Sequence, residues 1–364
     1  MSSASPAGGL VLRLRTQRGR VAGVKIVSTR PPAALLLKGK TPDQAVQMVH
    51  LLFSLCGTAQ GVAAQAALQA AQGRTPGAAQ LASWAGMVRR EASIEHLWHL
   101  MLDWPKILGL SRPEQEYANF RRQCLQTKTD DDHAALLETI MAAGLIGMPA
   151  ADWLNLSQPA WSAWRKNSMS LGAQLLRHLN GPESCAGPCA TCLPHTAAQD
   201  WVDREQEIRT PAYCSAPTWL DEPRETGVLA RKYGHALVSP LLGAGRNIEA
   251  RLTARMVELA CWACGEVGPA CDWVDVAQSG QNAGLARVET ARGVLVHRVR
   301  VEGGVIEEYA IVAPTEWNFH PRGAFVREAG CIAESDDAAA LRKVQWLALS
   351  LDPCVVYEVV LERA

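Results

Sequence analysis

Eleven cysteines are spread over the 364 residues, and their spacing is the first place to look for chemistry. Cys185, Cys189, Cys192 and His195 form a C-x3-C-x2-C-x2-H pattern. Glycine and proline between them let the backbone wrap an ion, so the pattern suits zinc or an iron–sulfur cluster, with Cys214 as a further thiol in the same stretch. Spacing does not choose between the two. Cys261 and Cys264 lie one helical turn apart among apolar neighbours, which points to packing. His96 and His99 share that spacing beside Leu97, Trp98 and Leu100 and also read as packed. Trp153, Trp161 and Trp164 lie in a connecting region, where core packing is the default and an aromatic docking surface the alternative. Cys56 and Cys354, near opposite ends, are each bland alone, since a buried thiol behaves as a small hydrophobe.

The composition sets the frame for these residues. Basic and acidic side chains number 36 each, so the net charge is zero, and 48% of the chain is apolar. Such a chain buries a sizeable core and is not disordered. Zero net charge argues against general nucleic-acid binding, which runs on excess Lys and Arg. No run of 18 apolar residues suggests a membrane span, and Met1–Pro6 lacks the features of a signal peptide. A cytoplasmic location is expected, with thiols kept reduced and free for metals.

The elements that must position the cysteines follow from pattern. Leu10, Leu12 and Leu14 alternate with Val11, Arg13 and Arg15, and a turn at 17–20 leads into a second strand, predicting a hairpin over 10–28. Thr41-Pro42-Asp43-Gln44 is a capping box with proline at the first helical position. The helix it opens is expected to run to Gln72, with Cys56, Ala59 and Ala63 on one face. Further helices are predicted over 78–103, 130–147 and 246–266. Residues 293–301 and 305–312 form a second hairpin around Gly303-Gly304. Ser335-Asp336-Asp337 caps a last helix, which Pro353 stops. Between 181 and 225 lie 6 of the 20 prolines and 4 of the 11 cysteines, so that stretch reads as an irregular insert. It separates an N-terminal part, 1–180, carrying Cys56 from a C-terminal part, 226–364, carrying Cys354. The expected class is α+β, mainly helical, with two small hairpins.

Read together, several segments resemble nickel–iron hydrogenase large subunits. Leu55-Cys56-Gly57 and Leu351-Asp352-Pro353-Cys354 resemble the two metal motifs of that family. Leu37-Lys38-Gly39-Lys40-Thr41-Pro42 is similar to its Leu-Lys-Gly-Arg-Asp-Pro. Glu225–Arg231 resembles Glu-x-Gly-Pro-Leu-Ala-Arg, Glu289-Thr290-Ala291-Arg292-Gly293 resembles Glu-Ala-Pro-Arg-Gly, and Val312–Asn318 resembles Val-Val-Pro-Thr-Thr-Trp-Asn. Each match is weak alone; six in order across the chain are specific as a set. The resemblance implies a large-subunit-like fold in one overall domain.

The departures matter as much. Where the family has its second cysteines, this chain has Ala59 and Tyr357; where it has histidines, Ala63 and Val360. Ser54 replaces an arginine, and Ala34 stands at the proton-shuttling glutamate. Two thiolates do not hold a bimetallic centre that needs four, so no catalytic residues are expected. The sequence is thus identified as a member of the HupK/HoxV-type hydrogenase expression/formation proteins, and Ile94–Pro105 fits that group well. Its end at Ala364 is expected to lack the extension that a maturation protease removes.

That resemblance implies a non-catalytic maturation scaffold holding an Fe(CN)2(CO) unit on Cys56 and Cys354, with Arg292, Pro314 and Thr315 around the diatomic ligands. The implied partners are a HypC-type chaperone and the large-subunit precursor. Ala59 and Ala63 would leave room beside Cys56 for a partner's ligand. The alternatives are a structural chaperone that mimics the large subunit without iron, or a divergent oxidoreductase using the 185–195 cluster for electron transfer.

Overall fold

The computed structural model describes residues 8–53, 55–179 and 191–362. They fall into two compact units, each assembled from non-adjacent stretches: 1–88, 190–227 and 269–364 in one, 89–189 and 228–268 in the other.

The first unit carries two sheets. β1 (Leu10–Gln17) and β2 (Arg20–Ser28) form the expected hairpin, with Leu10, Leu12 and Leu14 buried as period-two alternation requires. Its turn takes φ of +51° at Arg18 and +77° at Gly19. A Cβ on Gly19 would meet the Glu334 carbonyl at 2.1 Å, so only glycine fits. The same turn is pinned to the last helix, Asp337–Leu351, because Gly19 N–H donates to Asp337 Oδ1 at 2.7 Å. After that helix the chain returns as β7 (Tyr357–Glu362), parallel to β1 from Leu10↔Tyr357 to Arg15↔Glu362. This strand was not foreseen, and it brings the C-terminal cysteine segment to the N-terminal hairpin.

The second sheet runs β3 (Val274–Gly280), β4 (Ala283–Thr290), β5 (Gly293–Glu302) and β6 (Val305–Val312), antiparallel throughout. The predicted second hairpin is its β5–β6 half. The predicted helix over 41–72 breaks in two, α1 (Pro42–Leu52) and α2 (Gly57–Ala71). The capping box at Thr41 and Gln44 is present. Phe53 leaves helical geometry at ψ +79°, so Cys56 sits at the N-cap of α2 and not inside a long helix. A face of small residues lets α2 lie close on the sheet: Ala59, Ala63, Ala64, Ala66 and Ala67 are fully buried. At Gly284 of β4 a Cβ would sit 2.2 Å from the Ala67 carbonyl oxygen. Residues 191–225 are not irregular throughout: they hold short helices at Ala198–Val202, Glu205–Ile208 and Pro211–Ser215, with Trp201, Ile208 and Tyr213 in a cluster with Leu285, Val296 and Trp317.

The second unit is helical. Its central helix, Asn247–Ala263, is buried on nearly every face. Glu258 on that helix takes a bidentate pair from Arg231 at 2.7 Å and faces His96 Nε2 at 2.9 Å. Burial opposes the Glu258 charge, yet Arg231 and His96 hold the carboxyl far below its usual range. Burial likewise lowers His96 to about 4. His99 Nε2 accepts from Trp104 Nε1 at 2.9 Å, so both rings are packed against polar partners as the apolar context predicts. Trp153, Trp161 and Trp164 are buried against one another, which removes the idea of an exposed aromatic surface.

Candidate functional site

The motif segments singled out in the sequence interlock within the first unit. At the β4–β5 turn, Thr290 Oγ1 accepts from the backbone N–H groups of Arg292 at 3.1 Å and Gly293 at 3.2 Å. Gly293 (φ +126°) packs against Thr226, whose Oγ1 accepts from Val294 N–H at 3.0 Å. Asn318 joins three segments: its Oδ1 accepts from Thr226 N–H at 2.9 Å, and its Nδ2 donates to the Arg292 carbonyl at 3.4 Å. The Arg292 guanidinium reaches Asp352 Oδ1 at 3.3 Å, with both side chains about nine-tenths buried. It is therefore a buried turn arginine, not a surface one. Asp352 ends the last helix in left-handed backbone (φ +51°) and turns the chain towards Cys354.

Cys354 is half-buried beside the helix Pro314–Asn318, which Pro314 opens at its first turn. Thr315 Oγ1 lies 3.0 Å from Cys354 Sγ and accepts from the Cys354 N–H at 3.3 Å. The next residue, Glu316, pairs with Arg30 at 2.6 Å. Burial opposes the charge on Arg30, but Cys354, Glu316 and Cys56 together outweigh it and raise the guanidinium's pKa. Both candidate thiols therefore lie in the field of one buried cation. Burial also lifts the Glu316 carboxyl above its usual range, against the pull of Arg30.

Arg30 was missed in the sequence. It follows β2 in an unremarkable Thr29-Arg30-Pro31-Pro32 stretch, and its partner is 286 positions away. Gln60 was missed too. It is buried on the first turn of α2, with Nε2 3.8 Å from Cys56 Sγ. Its Oε1 lies 2.8 Å from His297 Nε2, and His297 Nδ1 lies 2.8 Å from the Tyr309 hydroxyl. Ala59 and Ala63 are fully buried against the sheet, so they offer no open face to a second protein.

The 185–195 cluster is only partly in view, since Cys185 and Cys189 lie outside the described residues. Cys192 stands in a short bridge to Glu225, where Leu193 N–H donates to the Glu225 carbonyl at 2.7 Å. His195 is exposed, 3.6 Å from Asp272. Cys214 donates to the Ile208 carbonyl at 3.2 Å, and burial raises its thiol to about 11, so it packs as a hydrophobe. Among the described residues no three His, Cys, Asp or Glu side chains are grouped to hold a metal ion.

Comparison with known proteins decides the family. Residues 246–339 match the nickel-dependent hydrogenase family. The hydrogenase expression/formation protein HoxV of Cupriavidus necator is 32% identical, over 97% of this chain and 96% of its own. HupK of Azotobacter vinelandii is 31% identical over 98% of this chain and 100% of its own. The chain belongs to the HupK/HoxV family of hydrogenase expression/formation proteins. Its fold is that of hydrogenase large subunits. The D. vulgaris Hildenborough NiFeSe hydrogenase matches with a TM-score of 0.58 at 15% identity, over 95% of this chain and 98% of that one. The NiFeSe hydrogenase of Dm. baculatum matches with 0.57 at 16% identity, over 94% and 95%. The expected α+β, mainly helical class holds for this family member. Among the described residues no helix is long and apolar enough to cross a membrane.

Proposed function

We propose that this expression/formation protein is a non-catalytic carrier that holds an Fe(CN)2(CO) unit on Cys56 and Cys354 and relays it towards a hydrogenase large-subunit precursor. The observation that carries this reading is the half-buried Cys354 thiol with the Thr315 hydroxyl 3.0 Å from its sulfur, in the same compact unit as the half-buried Cys56 thiol 298 positions earlier in sequence. Low-spin iron bearing carbonyl and cyanide is a soft centre suited to thiolates. The Arg30 cation, paired with Glu316 next to Thr315, would favour the negative charge of such a unit, and the Thr315 hydroxyl beside Cys354 would be available as a donor to a cyanide nitrogen. Arg292, spent on Asp352, acts in this reading by shaping the turn that carries Cys354. A HypC-type chaperone is the proposed source of the unit, as the resemblance implies. The loop at Cys185, Cys189, Cys192 and His195 is proposed as a separate zinc or iron–sulfur site.

Infrared spectroscopy on protein purified without oxygen, after co-expression with the assembly factors, tests the carrier reading. One carbonyl and two cyanide bands are expected, lost in Cys56→Ser and Cys354→Ser. Their absence from the wild type favours a second reading, a structural chaperone that mimics the large subunit without iron. A specific observation supports that alternative: Thr226, Asn318, Arg292 and Asp352 hold the motif segments together through their own hydrogen bonds and ion pair.

A further inference from the structure

Behind Cys56 runs a line of buried polar side chains that neither the family motifs nor the carrier reading uses. Gln60, His297 and Tyr309 come from α2, β5 and β6, and all three lie in the first unit. Gln60 is 2% exposed and His297 is fully buried, so an unpaired polar atom at either would be costly. Their atoms fix a direction. Gln60 Oε1 only accepts, so His297 Nε2, 2.8 Å away, carries the ring proton. Burial keeps the ring neutral, with its pKa lowered to about 3, so Nδ1 is an acceptor. The Tyr309 hydroxyl, 2.8 Å from Nδ1, must then donate. With its oxygen engaged, Gln60 turns its NH2 towards Cys56 Sγ at 3.8 Å. The donors therefore run one way, from Tyr309 through His297 and Gln60 to the sulfur.

The backbone reinforces this. Cys56 is the N-cap of a 15-residue helix, and its carbonyl accepts from Gln60 N–H at 3.0 Å. The helix N-terminus, with its partial positive charge, thus presents Cys56 and Gln60 on one turn.

We propose that Gln60 is a positioning residue for the Cys56 sulfur, locked by His297 and Tyr309 so that its amide N–H faces the sulfur and turns it towards Cys354. The proposal deepens the carrier reading and rests on it for its purpose, since a unit shared by two thiols needs both presented to the same side. Nothing in it depends on iron being present, which separates the tests.

Phenylarsine oxide, whose arsenic takes two converging thiols, is the probe. In the full-length protein one arsenic is expected to link the peptides containing Cys56 and Cys354 in the mass spectrum, and to resist a monothiol wash. Gln60→Met keeps the volume but removes the amide, and should weaken that bridge about tenfold. His297→Leu should do the same, whereas His297→Gln, which still offers an N–H to Gln60 Oε1, should restore it. A merely structural role would lower the melting temperature in all three variants without this pattern of loss and rescue. The inference is overturned if wild type forms no Cys56–Cys354 bridge, if Gln60→Met bridges as tightly as wild type, or if 15N NMR places the His297 proton on Nδ1. A wild type that bridges arsenic but shows no carbonyl or cyanide bands sinks the carrier reading and leaves the positioning role standing.

Discussion

Lowering the pH from 7 to 5 should cost the native state about 2 kcal/mol through His297 alone. The folded protein keeps this ring neutral, its pKa lowered to about 3 by burial. An unfolded chain protonates histidine near 6.5. The folded pKa is the depressed one, so the contribution to stability is fully present above about pH 6.5. It is lost as the pH falls from there towards 3, because the unfolded state binds the extra proton. Each unit of difference is worth about 1.4 kcal/mol, and pH 5 lies about 1.5 units below the unfolded value. His96 and His133, both lowered to about 4 by burial, act in the same direction and steepen the total. The share of His297 is isolated by comparison with His297→Gln, which stays neutral and keeps an N–H for Gln60. Urea unfolding followed by tryptophan fluorescence at pH 7 and pH 5 gives the four stabilities needed. The variant should lose about 2 kcal/mol less than wild type between the two pH values. Equal losses would mean that His297 takes up its proton in the native state, and the one-way chain of donors behind Cys56 would fall with it.

Thr315→Val keeps the shape of its side chain but removes both contacts to Cys354, leaving the Cys354 N–H without its acceptor. Thermal unfolding should show a loss of about 1–2 kcal/mol, and anaerobic iron loading should fall. Gly293→Ala puts a methyl group 2.4 Å from Thr226 Cγ2 at φ +126°. It should destabilise by about 3 kcal/mol in urea titrations, since both strain and overlap act at one residue. Replacing Cys185, Cys189 and Cys192 together should abolish any zinc or cluster iron found by elemental analysis, while leaving carbonyl and cyanide bands in place. Loss of those bands as well would join the two proposed metal sites into one.

Local signals in the sequence carried the parts of the fold that depend on local physics. Thr41 and Gln44 announce a helix start because their side chains and backbones satisfy each other within four residues. Leu10, Leu12 and Leu14 announce a strand because alternate residues face one side. The break between α1 and α2 was hidden, since the apolar run Leu51-Leu52-Phe53 continues the helical pattern up to Cys56. β4 was hidden for another reason. It is buried along its whole length, so Ala283–Thr290 shows no alternation and cannot be told from a short helix by period. Arg30 with Glu316, and Gln60 with His297, pair across 286 and 237 positions, and no local pattern announces such a meeting. Cys56 and Cys354 were found only because the segments around them resemble a family, and folding then sets Gln60 beside the one sulfur and Thr315 beside the other.

The interlocking motifs also sort the residues by what folding alone requires. Thr226, Gly293 and Asn318 are needed to close the turns on which they sit: Asn318 satisfies a backbone donor and a backbone acceptor from two other segments, and nothing larger than glycine fits at 293. Asp352 answers the buried charge of Arg292. The resemblance at those positions is explained by mechanics and says little about iron. Position 354 is different. Thr315 accepts from its backbone N–H, a contact that any residue but proline would supply, so the scaffold does not demand sulfur there. Serine at 354 should therefore fold as stably as wild type, to within about 0.5 kcal/mol, the range of substitutions that disturb no packing or buried partner. If Cys354→Ser keeps its melting temperature and loses the carbonyl and cyanide bands, the thiol serves the cargo and not the fold. A variant that unfolds would instead make Cys354 one more clamp in the interlock, and the carrier reading would lose its C-terminal ligand.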